Sequence, residues 1–249
     1  MLVRARSVVL ALACVLLAAL PIGSSRAAAP TTMQRQNIEA IIHDYLMNHP
    51  DVVIAALRSA QAKLDRDSDA KASQMVAQRR SDIFEDPATP VGGNPQGDVS
   101  IVEFFDYRCP YCKQVQPSLE SLAKQDPKLR LVYKEFPILG PASVTAARAA
   151  LAAQRQGKYD AFHAAMMAER GQITDDTIYQ VAASVGLDIG RLKRDMAAPE
   201  IAQQLQANLA LADALNIHGT PAFIVGNQVV PGAVDIGALK TMVADARKR

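Results

Sequence analysis

Cys109-Pro110-Tyr111-Cys112 sets two thiols two residues apart, where an apolar run gives way to a helical one. A thiol attacks a disulfide only as thiolate, and the first turn of a helix offers unbonded N–H groups and the positive end of its dipole to stabilise one. Cys109, just ahead of the helix, is therefore the expected attacking sulfur, and Cys112, one turn along, the expected resolving one. Pro110 suits the helix start because it lacks an N–H that would find no partner there, and Pro117 is expected to kink the same helix. Structural zinc wants four ligands, whereas beyond this pair there are only Cys14 and four scattered histidines. Covalent haem needs histidine after the second cysteine, and residue 113 is lysine. Redox exchange leads, with metal binding and an inert disulfide as the other readings.

The first 27 residues set the compartment. Arg4 and Arg6, the apolar run from Val8 to Leu20, and the small residues around Arg26 have the form of a cleavable export signal, which predicts a periplasmic protein and removes Cys14. The run is short for a span, which takes about 20 apolar residues, and Pro21 and Gly23 end it. Loss of Arg4, Arg6 and Arg26 leaves 24 Lys and Arg against 25 Asp and Glu, so the formal charge passes from +2 to −1. No basic surface recommends a nucleic-acid partner. An apolar content of 49% excludes general disorder, and the 222 residues after the signal suffice for one domain with an appendage.

The elements that must position the thiols divide near Pro87 to Gly97. Residues 28–86 read as two helices, the first carrying Ile38, Ile41, Ile42, Tyr45 and Leu46 at helical spacing, the second restarting at Pro50. Val53, Leu57, Ala60 and Leu64 make a seam too narrow for an independent core, which suits packing on the main domain or on copies of itself, most simply in a homotrimer. Residues 87–249 read as strand (100–105), helix (110–124), strand (129–136), a helical insertion over about 142–216, a hairpin across Gly226-Asn227, and a final helix (235–247). The insertion is broken by Gly157, Gly171, Gly186 and Pro199.

Glu103-Phe-Phe-Asp-Tyr-Arg-Cys-Pro-Tyr-Cys112 together with Gly219-Thr220-Pro221 resembles the DsbA-like branch of the thioredoxin superfamily. The resemblance implies an α/β thioredoxin fold with a helical insertion, preceded here by an α-helical extension. It further implies a cis bond before Pro221 with Thr220 beside the sulfurs, Glu103 as the buried acid beneath them, and Lys134 as that acid's basic partner. Tyr111 stands where the best-known oxidases carry histidine and supplies no positive charge. The prefix, especially Ile38 to Leu46 and Asn48-His49-Pro50, is similar to the oligomerisation region of the copper-sensitivity suppressor ScsC and Com1-like proteins. The likeness implies a disulfide oxidoreductase and isomerase of exported cysteine-containing proteins. It would work without a cofactor and be reset by a membrane redox partner. A dithiol oxidase, or a copper-tolerance protein binding Cu(I) through the two thiolates, are the alternatives.

Overall fold

The apolar run around Ile101 and Phe104 becomes the middle strand of a five-stranded mixed sheet, ordered β1-β3-β2-β4-β5. In the computed structural model, which describes residues 31–248, the strands are β1 (Val91–Gly93), β2 (Val99–Phe105), β3 (Leu129–Glu135), β4 (Ala222–Val225) and β5 (Gln228–Pro231). The predicted export signal lies outside the described residues. β2 runs parallel to β3 and antiparallel to β4, and every residue of β2 except Ser100 is buried. A strand covered on both faces needs a near-continuous apolar run, and β2 supplies one from Ile101 to Phe105, interrupted only at Glu103.

Alternation along β2 and β3 sorts their side chains into two cores. Ile101, Phe105, Leu131 and Tyr133 join the cluster built with α3 (Pro110–Gln125), the insertion helices and α9 (Ile236–Ala246). Val102, Phe104, Val132 and Phe136 join Val76, Ile83, Phe84, Leu211 and Leu215 on the other face. Phe104 is fully buried, with its ring edge-on to Phe136 at 6.0 Å between centroids. Phe104→Ala is expected to cost about 3–5 kcal/mol through transfer and cavity terms, read as a lower denaturant midpoint with an unchanged slope.

The insertion resolves into α4 (Pro141–Gln154), α5 (Tyr159–Ala168), α6 (Asp175–Ser184), α7 (Ile189–Met196) and α8 (Pro199–Ala214), with breaks where the glycines and Pro199 fall. Gly157 and Gly186 sit at φ +70° and +74°, a region that side-chain-bearing residues rarely adopt. α3 continues through Pro117 to Gln125. Two further elements have no apolar pattern or turn signal of their own. β1 lies on Gly92-Gly93, residues with little strand preference, yet it pairs antiparallel with β3 through its backbone, which requires no apolar side chains. A π-helical turn, Ser81–Glu85, buries Ile83 and Phe84.

The chain divides after Arg58 into two units, so residues 59–86, grouped by sequence with the extension, fall in the unit that holds the sheet. In the first unit, α1 (Thr32–Asn48) opens on a capping box between Thr31 and Gln34 and has no buried residue. α2 begins at Pro50 and runs to Gln78. Among the described residues no helix is long and apolar enough to cross a membrane.

Candidate active site

β2 ends at Phe105, and Asp106 turns the chain into α3. Its carboxylate accepts N–H bonds from Arg108 at 2.8 Å and Leu139 at 3.0 Å, while its carbonyl accepts from Cys109 N–H at 3.0 Å. Cys109 thereby becomes the N-cap of α3, with Pro110 at the first helical position. Its sulfur accepts the Cys112 N–H at 3.4 Å and, as a thiol, donates to the Thr220 carbonyl at 3.3 Å. Both cysteines are free thiols and both are buried, Cys112 more fully than Cys109. Tyr111 between them is exposed.

Capping chemistry separates the two thiols. The Cys112 thiol, then Thr220, then the backbone N–H groups of Cys112 and Tyr111 lower Cys109 to about 6 against its own burial. Burial, the hydrogen bond to Cys109 and the nearby Glu103 push Cys112 far up. Cys109 is thus the thiolate at neutral pH and Cys112 the protonated partner. The peptide bond between Thr220 and Pro221 is cis. It opens β4 and delivers Thr220 to the Cys109 sulfur.

Glu103 lies in β2 between Tyr133 and Phe223, on the same face as Phe105, and neither carboxylate oxygen has a hydrogen-bond partner. Burial and then the charge on Cys109 raise it to about 8. Because the folded value exceeds an unfolded one of about 4.3, the stability it contributes is complete below that value and is lost as pH rises through about 8. Glu103→Gln is expected to flatten that slope and to stabilise the reduced protein above about pH 9 by a few kcal/mol, measured as urea midpoints at acid and alkaline pH.

Lys134 is not the partner of Glu103. It stands in register with Phe104, one residue past Tyr133, so alternation sends it to the opposite face of the sheet. There its ammonium donates to the Asp82 carbonyl at 2.8 Å and the Thr89 hydroxyl at 2.6 Å, with Asp86 at 3.5 Å. Burial lowers its pKa while Asp86 opposes the shift. The lysine ties the Asp86 turn to the sheet and leaves the acid beneath the cysteines without a cation. His218 is exposed and bonded to Asn216 at 2.9 Å, while Met166 and Met167 are core residues.

Sequence reasoning missed a second buried acid. Glu135 accepts hydroxyl bonds from Tyr107 at 3.1 Å and Tyr159 at 2.8 Å, and Tyr107 in turn bonds His163 Nδ1 at 3.1 Å. Burial raises the Glu135 carboxyl well above the usual range despite the two tyrosines, and it lowers His163 to about 3. The signal in the sequence was Lys134-Glu135 directly following the apolar stretch Leu131-Val132-Tyr133. Two successive charges in a strand covered on both sides require a polar network on each face.

Buried thiols at a helix start, a cis-proline turn against the Cys109 sulfur and an acid beneath define a thioredoxin-type site. Residues 100–244 match the model of the DSBA-like thioredoxin domain, and residues 34–64 match the N-terminal domain of the copper resistance protein ScsC. The chain belongs to the DSBA-like thioredoxin family. A thioredoxin-like oxidoreductase from Silicibacter pomeroyi is 49% identical, with TM-score 0.67, over 68% of this chain and 98% of that one. A linker-deleted mutant of Proteus mirabilis ScsC is 26% identical, with TM-score 0.69, over 89% of this chain and 99% of that one. The thiol:disulfide interchange protein DsbA of Bordetella parapertussis is 30% identical over 172 residues, 64% of this chain and 82% of that protein. The chain also matches the Na(+)/H(+) antiporter NhaA 1 of Salinispora arenicola at 30% identity, spanning 63% of its own length but only 24% of the antiporter's. It therefore covers about a quarter of the length of the antiporters it matches.

Proposed function

We propose that the protein is a periplasmic thiol-disulfide oxidoreductase that works mainly as an isomerase and reductase of exported proteins. The observation that carries the reading is the split between the two thiols, one held as thiolate at about 6 and the other far above it. The Cys109 thiolate attacks a client disulfide, forming a mixed disulfide and releasing one client thiolate. Cys112 then loses its proton and attacks Cys109, releasing the second client thiolate and leaving the Cys109–Cys112 disulfide. In isomerisation a client thiolate attacks the mixed disulfide instead and frees Cys109 with no net electron flow. The mixed disulfide removes the Cys109 charge that helps to hold the Glu103 proton, so the carboxylate forms more readily at that stage and accepts the Cys112 proton. Thr220 holds the attacking sulfur, and Pro221 shapes the loop that faces the client.

The electrons reside in the two sulfurs, so the reading invokes no cofactor, and a membrane thiol-disulfide partner returns the pair to its starting state. The match of residues 34–64 to the ScsC N-terminal domain supports a homo-oligomer, with a homotrimer as the simplest form. The same match favours a second reading, Cu(I) bound by the two thiolates, which competition with a chelator of known affinity would detect. The deciding experiment runs insulin reduction and scrambled-ribonuclease reactivation in parallel. Activity in both supports isomerase and reductase work. Fast oxidation of reduced ribonuclease without reactivation of the scrambled form would make the protein a dithiol oxidase.

Thr220→Val removes the hydroxyl that helps to lower Cys109 and leaves the carbonyl in place. The Cys109 titration, followed by thiolate absorbance, is expected to move upward, with a corresponding fall in alkylation rate near pH 6. An unshifted titration would reduce Thr220 to backbone geometry.

A further inference from the structure

A cavity of about 640 Å³ opens beside the loop that carries Thr220 and Pro221, and residues 68–75 of α2 form one of its walls. Ala72 and Met75 come from that helix, Ile217 from the chain after α8, and Val229 from β5. Met75 and Val229 pack against the second core, so the cavity lies on the face of the sheet away from α3. Neither cysteine lines it. Thr220 belongs to both places, because its carbonyl accepts from the Cys109 thiol at 3.3 Å and the residue also lines the cavity.

The lining says what the cavity takes. Its surface is mainly apolar, and Asp69 and Lys71 at the rim are exposed and of opposite sign, so no net charge selects an ion. Among the described residues, nothing accepts the N–H of Gly219 or Thr220, both of which line the cavity. An apolar trough with open backbone donors along one side suits an extended chain, which offers carbonyls to the donors and side chains to the trough. A client held at Cys109 is a chain that must pass over Thr220. Residues 68–75 fall between the segments 34–64 and 100–244 matched by the two family models, so neither match gives them a role.

We propose that α2 forms part of the client-binding surface, and that this cavity takes apolar side chains of the client segment next to the cysteine under attack. The inference rests on the exchange reaction proposed above and adds to it a preference among clients. Ala72 is half-buried where it lines the cavity, so a larger side chain there reduces the space for a client.

The test uses the reduced full-length protein and two short peptides of equal length, each with one cysteine in a mixed disulfide with thionitrobenzoate. One carries leucines beside the cysteine, the other serines. The Cys109 thiolate attacks the peptide sulfur and expels thionitrobenzoate, whose colour reports the step. Cys112 then displaces the peptide thiolate, so the peptide disulfide is reduced to two thiols while the enzyme pair is oxidised. Each rate is divided by that of the same peptide with glutathione, and the leucine-to-serine ratio is taken within each protein, so a general change in reactivity cancels. The ratio is expected to be about tenfold in the wild type. Ala72→Trp, which fills the cavity, and Ala72→Asp, which puts a charge on its wall, should each bring it to about one. Failure of the wild type to release the dye from either peptide would refute the exchange reaction itself. A wild-type ratio near one, or a ratio that survives either substitution, would overturn the proposal. So would a change of oligomeric state in Ala72→Trp by light scattering, which would make the cavity a contact between copies.

Discussion

Cys109→Ser is expected to lower insulin reduction by about three orders of magnitude or more, because a serine hydroxyl has no thiolate-like form near neutral pH. Cys112→Ser should behave differently. Its Cys109 still attacks, but nothing resolves the mixed disulfide, so client adducts should accumulate and run as reductant-sensitive bands on a gel. The contrast follows from geometry, since Cys109 caps α3 with the Cys112 N–H at 3.4 Å, whereas Cys112 lies fully buried behind it. The Cys112→Ser variant also tests what holds the thiolate. The Cys112 thiol is the largest influence lowering Cys109, and a serine hydroxyl donates a comparable bond, so the titration near 6 should move only modestly. Cys112→Ala should move it upward by more. Wild-type turnover by Cys109→Ser would end the assignment of the nucleophile.

The second large effect is expected from the N-terminal helices. Ile41 and Leu57 are 68% and 65% exposed, and Ile42, Tyr45 and Val53 are exposed with them, an apolar surface that a single chain leaves in water. Burying it between copies gains about 25 cal/mol per Å², so Ile41→Glu combined with Leu57→Glu should convert an oligomer to monomers by light scattering. Linked active sites act on one misbridged client at high local concentration, and their separation should cut scrambled-ribonuclease reactivation by about tenfold or more. Insulin reduction should change little, because it needs one site. A wild-type protein that is already monomeric would remove the stalk from the proposal, and equal reactivation by both proteins would detach oligomerisation from isomerisation. The substitutions are preferable to deleting residues 28–86, because Val76, Ile83 and Phe84 are buried in the second core and their loss would unfold the domain being tested.

Local chemistry made the thiol site legible in the sequence. Two cysteines, a proline between them, an apolar strand before and a helix after determine which sulfur caps the helix, because capping depends on a few neighbouring residues. The breaks of the helical insertion were equally local, since Gly157, Gly186 and Pro199 impose or permit backbone conformations by themselves. The rest depends on registry and on residues far apart in the chain. One residue of register places Lys134 opposite Phe104 and so on the other face of the sheet from Glu103, where Thr89 and Asp86 hold it. β1 exists because β3 offers it an open edge, which a Gly-Gly pair cannot announce. The Tyr107–Glu135–Tyr159 contacts with His163 join the loop after β2, the end of β3 and α5, segments brought together by core packing. Spacing along a chain can place groups within one helix or strand; which face they share with a distant segment is settled by burial, and only the folded chain completes that comparison.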